Sequence, residues 1–186
     1  MSDGPLKQMS VDRVIDQWAR YDPAAAKAWM EAHVTPETRL SAQVELGESW
    51  ARVDPQSATA WFQQLPADQQ NPRILDRIVR RWIQYEPETG TEWLRAQPPS
   101  PVLDNPRADR AVQAARTDPS EALAWVQTIS DPNRRNSIEE HVSWQWFSRD
   151  RTAAVDYALN RSGLSEASKR RFAERAERDL RAGRQP

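Results

Sequence analysis

The chain has 186 residues, no cysteine and 38% apolar residues, enough for one ordinary domain without a disulfide framework but lean for a single deep core. Twenty-six basic residues against 27 acidic ones leave a net charge of −1, which removes any global attraction to nucleic acid or anionic lipid. No stretch approaches the ~18 apolar residues of a membrane span, and Met1 to Ser10 lacks the layout of a secretory signal, so a cytoplasmic location is the expectation.

The first predicted element is a helix from Val11 to Tyr21, and at its end a phrase begins that recurs every 32 residues. The phrase is Trp-x-x-x-Asp-Pro-x-x-Ala-x-x-Trp. It runs from Trp18 through Asp22, Pro23 and Ala26 to Trp29, then from Trp50 through Asp54, Pro55 and Ala58 to Trp61. The third copy, Trp82 to Trp93, has Glu86 and Gly90 in the Asp and Ala slots. A fourth keeps Asp118, Pro119, Ala122 and Trp125 but has Ala114 in the first slot, and a fifth decays to Trp146, Asp150, Ala154 and Tyr157. A fixed period between about 20 and 50 residues is the mark of stacked supersecondary units.

Each Asp-Pro predicts a helix start. The carboxylate accepts from the first free backbone amides, and the proline gives up an amide that has no partner there. Asp118 with Glu121 has capping-box spacing. Ala and Trp three residues apart then share one face of a short helix. A second, longer helix in each repeat starts at Thr35-Pro36, Asn71-Pro72, Asn105-Pro106, Asp131-Pro132 and Ser165-Glu166. Its inner stripe follows i, i+4, i+8 through Ala42, Leu46 and Trp50, then Ile74, Ile78 and Trp82, then Ile138, Val142 and Trp146. Arg110 and Ala114 stand in that stripe in the third copy, which is expected to be the loosest layer. The closing helix, Ser165 to Arg181, carries Phe172, Ala173, Ala176 and Leu180 on one side and arginines elsewhere, as a terminal cap does.

The expected fold is therefore all-α: a right-handed α-solenoid of about five helix-turn-helix repeats near 18–49, 50–81, 82–113, 114–145 and 146–181. It forms a single domain over 1–186, with flexible ends at 1–8 and 182–186.

The string Asp-Pro-x-x-Ala-x-x-Trp, at Asp22 to Trp29, Asp54 to Trp61, Glu86 to Trp93 and Asp118 to Trp125, resembles the junction between tetratricopeptide repeats. The likeness covers this phrase. The period of 32 differs from that family's ~34, and Ala32-His33, Gln64-Leu65, Ala96-Gln97 and Thr128-Ile129 stand where its Leu-Gly pair is found. The resemblance implies a tetratricopeptide-like protein-binding scaffold.

The regular Trp columns read as core, with the two columns packing on each other. Trp144 falls outside both, in register with Asp16, Glu48, Arg80 and Val112, and with neighbouring Phe147 it is a candidate partner-binding anchor. The alternative is that it fills the gap left by the degenerate fifth repeat. Arg20, Arg52 and Arg116, with Gln84 completing the column, form a ladder suited to carboxylates or phosphates on an extended partner. The same arginines also suit the C-terminal dipole of the long helix.

Residues 161–186 hold eight basic and four acidic side chains, but the arginines alternate with acids at i, i+3 or i+4, the pattern of a self-paired helix face. His33 and His141 lie in different columns with no second ligand at metal spacing, and the helix-start acids are accounted for by capping. The expectation is thus no enzyme, no cofactor and no metal: a scaffold holding a protein or peptide partner on one face. The alternatives are a nucleic-acid or polyanion-binding array and a structural segment of a longer repeat protein, whose apolar edge would be Met9, Val14 and Ile15.

Overall fold

A computed structural model describes residues 13–181, which are helical apart from turns and short links, with no strand among the described residues. The expected flexible ends, and Met9 with them, fall outside these residues, as does the side chain of Leu180. By its internal contacts the chain divides into two compact units, one up to Pro98 and one from Pro99.

In the first unit, α1 (residues 13–19) is followed by α2 (Pro23–His33), α3 (Pro36–Trp50), α4 (Pro55–Gln64), a 3₁₀ turn (Ala67–Gln69), α5 (Pro72–Tyr85) and α6 (Pro87–Ala96). The long helices α3 and α5 pack directly on each other. Each also packs on the short helices before and after it. Proline opens every one of α2 to α6. Asp22 and Asp54 accept from the amides of Ala25 and Ser57, both at 2.9 Å, satisfying donors that the helix itself cannot. Glu86 departs from this pattern: its longer side chain accepts the Thr89 hydroxyl at 2.7 Å instead of a backbone amide.

The predicted stripes reach the core except at half-buried Trp50, and of the Trp columns expected there Trp61 and Trp82 are buried, Trp29 and Trp93 half-buried and Trp18 exposed. Ala26, Ala42, Leu46, Ala58, Ile74 and Ile78 are fully buried. A Cβ on Gly47 would lie 3.0 Å from the Ile78 side chain, so α3 meets α5 at close range there. Gly90, in the alanine column, sits against backbone: a Cβ there would lie 3.0 Å from the Ile83 nitrogen. The Trp columns pair across the Asp-Pro turn, eleven residues apart, with ring centroids 6.4 Å apart for Trp18 and Trp29, 6.0 Å for Trp50 and Trp61 and 5.5 Å for Trp82 and Trp93. These separations lie within the range of favourable aromatic pairs.

In the second unit, a 3₁₀ turn (Pro101–Leu103) leads into α7 (Asp104–Ala114), α8 (Pro119–Gln127), α9 (Pro132–Phe147), α10 (Arg151–Asn160) and α11 (Glu166–Arg181). Helices α7, α8 and α9 pack mutually, α10 packs on α9, and α11 packs on α10. The start expected at Asn105-Pro106 lies earlier, at Asp104. Asp104 serves a different helix. Its carboxylate accepts from the Ser130 amide at 2.7 Å, the Asp131 amide at 2.9 Å and the Ser130 hydroxyl, at the entrance to α9.

The layer expected to be loosest is an alanine seam. Ala108, Ala111, Ala114 and Ala115 are all buried, and small side chains let α7 approach its neighbours closely. Asp118 and Asp150 cap α8 and α10, accepting from Glu121 and Ala153 amides at 3.1 and 2.9 Å. Only half of the expected capping box is made in this way: the Asp118 amide donates to the Ala114 carbonyl, while Glu121 accepts the Trp125 indole at 3.3 Å.

Candidate functional site

Two surfaces carry the side chains singled out by the sequence, one in each unit. In the first unit, the last turns of α1, α3 and α5 end at successive Trp-x-x-x-Asp-Pro turns, and the residue three beyond each Trp projects outward. These are Tyr21, Val53 and Tyr85, which are 89%, 57% and 58% exposed. They are large apolar groups at a fixed interval, held in solvent by a turn whose flanking positions are pinned by caps and ring pairs.

The arginines beside them are not free ligands for a partner. Arg20 donates to both oxygens of Asp16 at 2.8 and 2.9 Å. Arg52 reaches the same carboxylate at 3.3 Å from the next long helix, and the Ser49 hydroxyl donates to it at 2.7 Å. Burial pushes the Asp16 carboxyl up, but the Ser49 hydroxyl and the two guanidinium groups outweigh it and hold Asp16 below the usual carboxylate range. Buried Glu48 repeats the arrangement one layer on, gathering Arg52, Arg77 and Arg81. Arg81 also donates to Gln84 at 2.9 Å and lies 5.8 Å from the centre of the Tyr85 ring. Asp16 pushes the Arg20 guanidinium above its ordinary value, with smaller contributions from Tyr85 and Tyr21, so both phenols lie within electrostatic range of Arg20.

The structure thus brings Arg20, Arg52 and Gln84 onto one ion-paired ladder beside exposed Tyr21, Val53 and Tyr85. Arg116, the remaining member of the column, belongs to the second unit, where it is exposed and its carbonyl accepts from Arg149.

In the second unit, Phe147 is buried and Trp144 is half-buried. The Trp144 ring stacks on Phe172 with centroids 3.9 Å apart, and Phe147 meets the pair edge-on. Trp144 on α9 thus packs against α11 through Phe172. A cavity of about 410 Å³ opens beside it, lined also by Phe147, Ser148, Arg171, Arg175 and Arg178. Arg175 pairs with Asp179 at 3.3 Å and Arg181 with Glu177 at 3.4 Å along α11, as their spacing implies, whereas Arg171 pairs with Glu140 on α9.

Buried Glu139 and half-buried Tyr157 form a titratable pair in this unit. Glu139 accepts the Tyr157 hydroxyl at 2.6 Å and the Gly163 amide at 3.1 Å, tying α9 to α10 and to the link before α11. Burial, then the bond to Glu139, pushes the Tyr157 phenol far up, which keeps it protonated. The histidines are similarly engaged. His33 bonds the Trp29 carbonyl at 2.9 Å and stacks on its ring, and His141 meets Gln145. No group of three metal-ligating side chains gathers among the described residues, and no helix there is long and apolar enough to cross a membrane.

Sequence reasoning missed the Tyr21, Val53 and Tyr85 column. The signal was present at the third position after each Trp, but one aliphatic and two aromatic residues in a variable slot resemble any turn. It also missed the pairing of the arginine column with the Asp16 and Glu48 column, although both columns were visible. No family model matches the chain, and no curated protein or solved structure matches it.

Proposed function

We propose that this chain is a non-catalytic interaction scaffold: a helical-repeat protein of the α-solenoid type that holds a protein or peptide partner on one face. The observation that carries this reading is the exposed column of Tyr21, Val53 and Tyr85. Single exposed apolar residues are ordinary, but large ones repeated at the architectural period, two of them tyrosines, form the kind of patch enriched at interfaces. Their turns are rigidly held, which lowers the ordering cost of binding. The neighbouring ion-paired ladder supplies a polar rim.

Affinity capture from native lysate with the full chain tests the reading. A protein retained after nuclease and at high salt, and lost from a Tyr21→Ser/Tyr85→Ser variant of unchanged melting temperature, is the expected result. Turnover of a substrate that survives the loss of both tyrosines, or capture indifferent to them, would sink it.

A second reading, binding of nucleic acid or another polyanion, draws on the cavity bordered by Arg171, Arg175 and Arg178 in the second unit. It predicts retention that disappears with nuclease and falls steeply with salt. The self-pairing of Arg20, Arg52, Arg171 and Arg175 places it behind the first.

A further inference from the structure

The first unit holds a second cavity, of about 410 Å³, away from the tyrosine column. Its walls come from α2 (Lys27), α3 (Arg39, Gln43), α4 (Trp61, Gln64) and the 3₁₀ turn (Gln69). We propose that this cavity binds an acidic peptide segment of a protein partner through hydrogen bonds to its backbone and a carboxylate. The proposal rests on the reading of the chain as an interaction scaffold and supplies the partner's chemistry.

Three observations carry it. The first is an unused donor in the cavity wall, one that shows almost no surface of its own, so a ligand reaches it only where the wall yields. Trp61 is 4% exposed, yet its indole Nε1 has no acceptor among the described residues. Buried donors are nearly always partnered. The other two deeply buried tryptophans obey that rule, Trp82 donating to Thr89 at 3.0 Å and Trp125 to Glu121 at 3.3 Å. Trp125 holds the same place in its phrase as Trp61, and the residue four before it is Glu121, whereas four before Trp61 stands Ser57. At the cavity, the position that supplies an acceptor to Trp125 thus holds a serine that makes no bond to Trp61.

The second observation is a matched donor and acceptor. Gln43, itself only 4% exposed, donates from Nε2 to Gln69 Oε1 at 3.1 Å. That bond leaves the Gln43 oxygen to accept and the Gln69 nitrogen to donate, the complement of the C=O and N–H of one peptide unit. Gln64 adds another amide to the wall. The third is charge. Lys27 and Arg39 line the cavity against the single acid Glu31, which stands 3.8 Å from Lys27, so the surplus is positive. A saccharide or a nucleobase fits less well, because both need an open ring face and the Trp61 ring is buried against Trp50.

The test selects a random short-peptide display library on the full chain, then measures binding of the synthetic consensus peptide by fluorescence anisotropy. The expected outcome is a consensus containing Asp or Glu whose affinity falls about ten-fold or more for Trp61→Phe, which keeps a ring and removes the N–H, and for Gln43→Leu. Arg39→Gln, at a partly exposed site, weakens binding without touching the core and serves if either buried variant fails to fold. Tyr21→Ser leaves the peptide affinity unchanged. Enrichment of no peptide, a consensus without acids, or unchanged affinity for the folded cavity variants overturns the proposal. Those results leave the capture experiment at Tyr21 and Tyr85 standing, so the two ideas fail separately.

Discussion

The two units tie neighbouring helices together by different means, although the same phrase starts their short helices. In the first, each Asp-Pro or Glu-Pro turn is clamped by a Trp pair, and the long helices are linked by Asp16 and Glu48 through ion pairs with arginines that reach the surface. In the second, the column that supplied those carboxylates supplies Trp144, and the links move inward: Asp104 caps α9 from α7, Glu139 holds Tyr157 and Gly163, and Trp144 stacks on Phe172. Where the acid column runs out, buried polar locks and an aromatic stack take its place. One repeat phrase fixes helix starts and helix faces, but it leaves open what joins one layer to the next.

The largest expected effect breaks the fourth layer. Ala114 stands where a second indole would face Trp125 across its turn, and the buried Trp125 ring, with Ala122 and Val126, holds α8 to the seam. Trp125→Ala should lower the unfolding free energy by ~3–5 kcal/mol in urea titrations. Next is the inward lock: Asp104→Ala leaves the Ser130 and Asp131 amides without their acceptor and removes a carboxylate that interacts with buried Arg107, a loss of ~2–4 kcal/mol.

Asp104 also carries a pH signature. Burial raises its carboxyl, but the Ser130 and Asp131 amides, the Ser130 hydroxyl and Arg107 outweigh that and hold it below the usual range, as comparable partners do for Asp16 and Glu140. A folded pKa below the unfolded one means the unfolded chain takes up protons first as pH falls. The stabilisation is complete above the unfolded value of about 4 and is lost as pH drops through the folded one. Thermal melts should therefore decline below about pH 4, less steeply for Asp104→Asn.

Smaller effects come from restoring the phrase where it departs from itself. Consensus changes often stabilise, but Gly90→Ala sets a methyl against the Ile83 backbone and Ala114→Trp overfills the alanine seam, each destabilising by ~1–3 kcal/mol or more in the same titrations. The smallest belongs to the outward ladder: Asp16→Ala should cost ~0.5–1 kcal/mol and less still in high salt. A larger loss there than at Asp104 would reverse the comparison.

Much of each repeat is legible in the sequence because proline and capping acids act locally. Asp22, Asp54, Asp118 and Asp150 start their helices as a reading of four residues implies, and the buried stripes follow from i, i+4 spacing. What escaped the sequence depends on partners far along the chain. Asp104 looks like a first-turn acid of its own helix, yet it bonds 26 and 27 residues away. The arginine column resembled a docking ladder because its counter-ions lie four residues back on one helix and a whole repeat away on another. Gly90 stands in an alanine column because the Ile83 backbone fills the space of a methyl group, a contact that no local spacing announces. Trp144 could be placed on a helix but not against Phe172, because register between helices is set by packing that no local spacing encodes.

The indole pairs across the turns have an optical consequence. Chromophores 5.5–6.4 Å apart couple their transition moments and exchange excitation. The first unit should therefore add an exciton couplet to the circular dichroism in the region where helix content is read, distorting that reading. Excitation absorbed by the buried rings should migrate along each pair, so that emission from the Trp18 and Trp29 pair is weighted toward solvent-facing Trp18. Across the turn from Trp125 stands Ala114 and not a second indole, so the fourth copy of the phrase adds no such couplet.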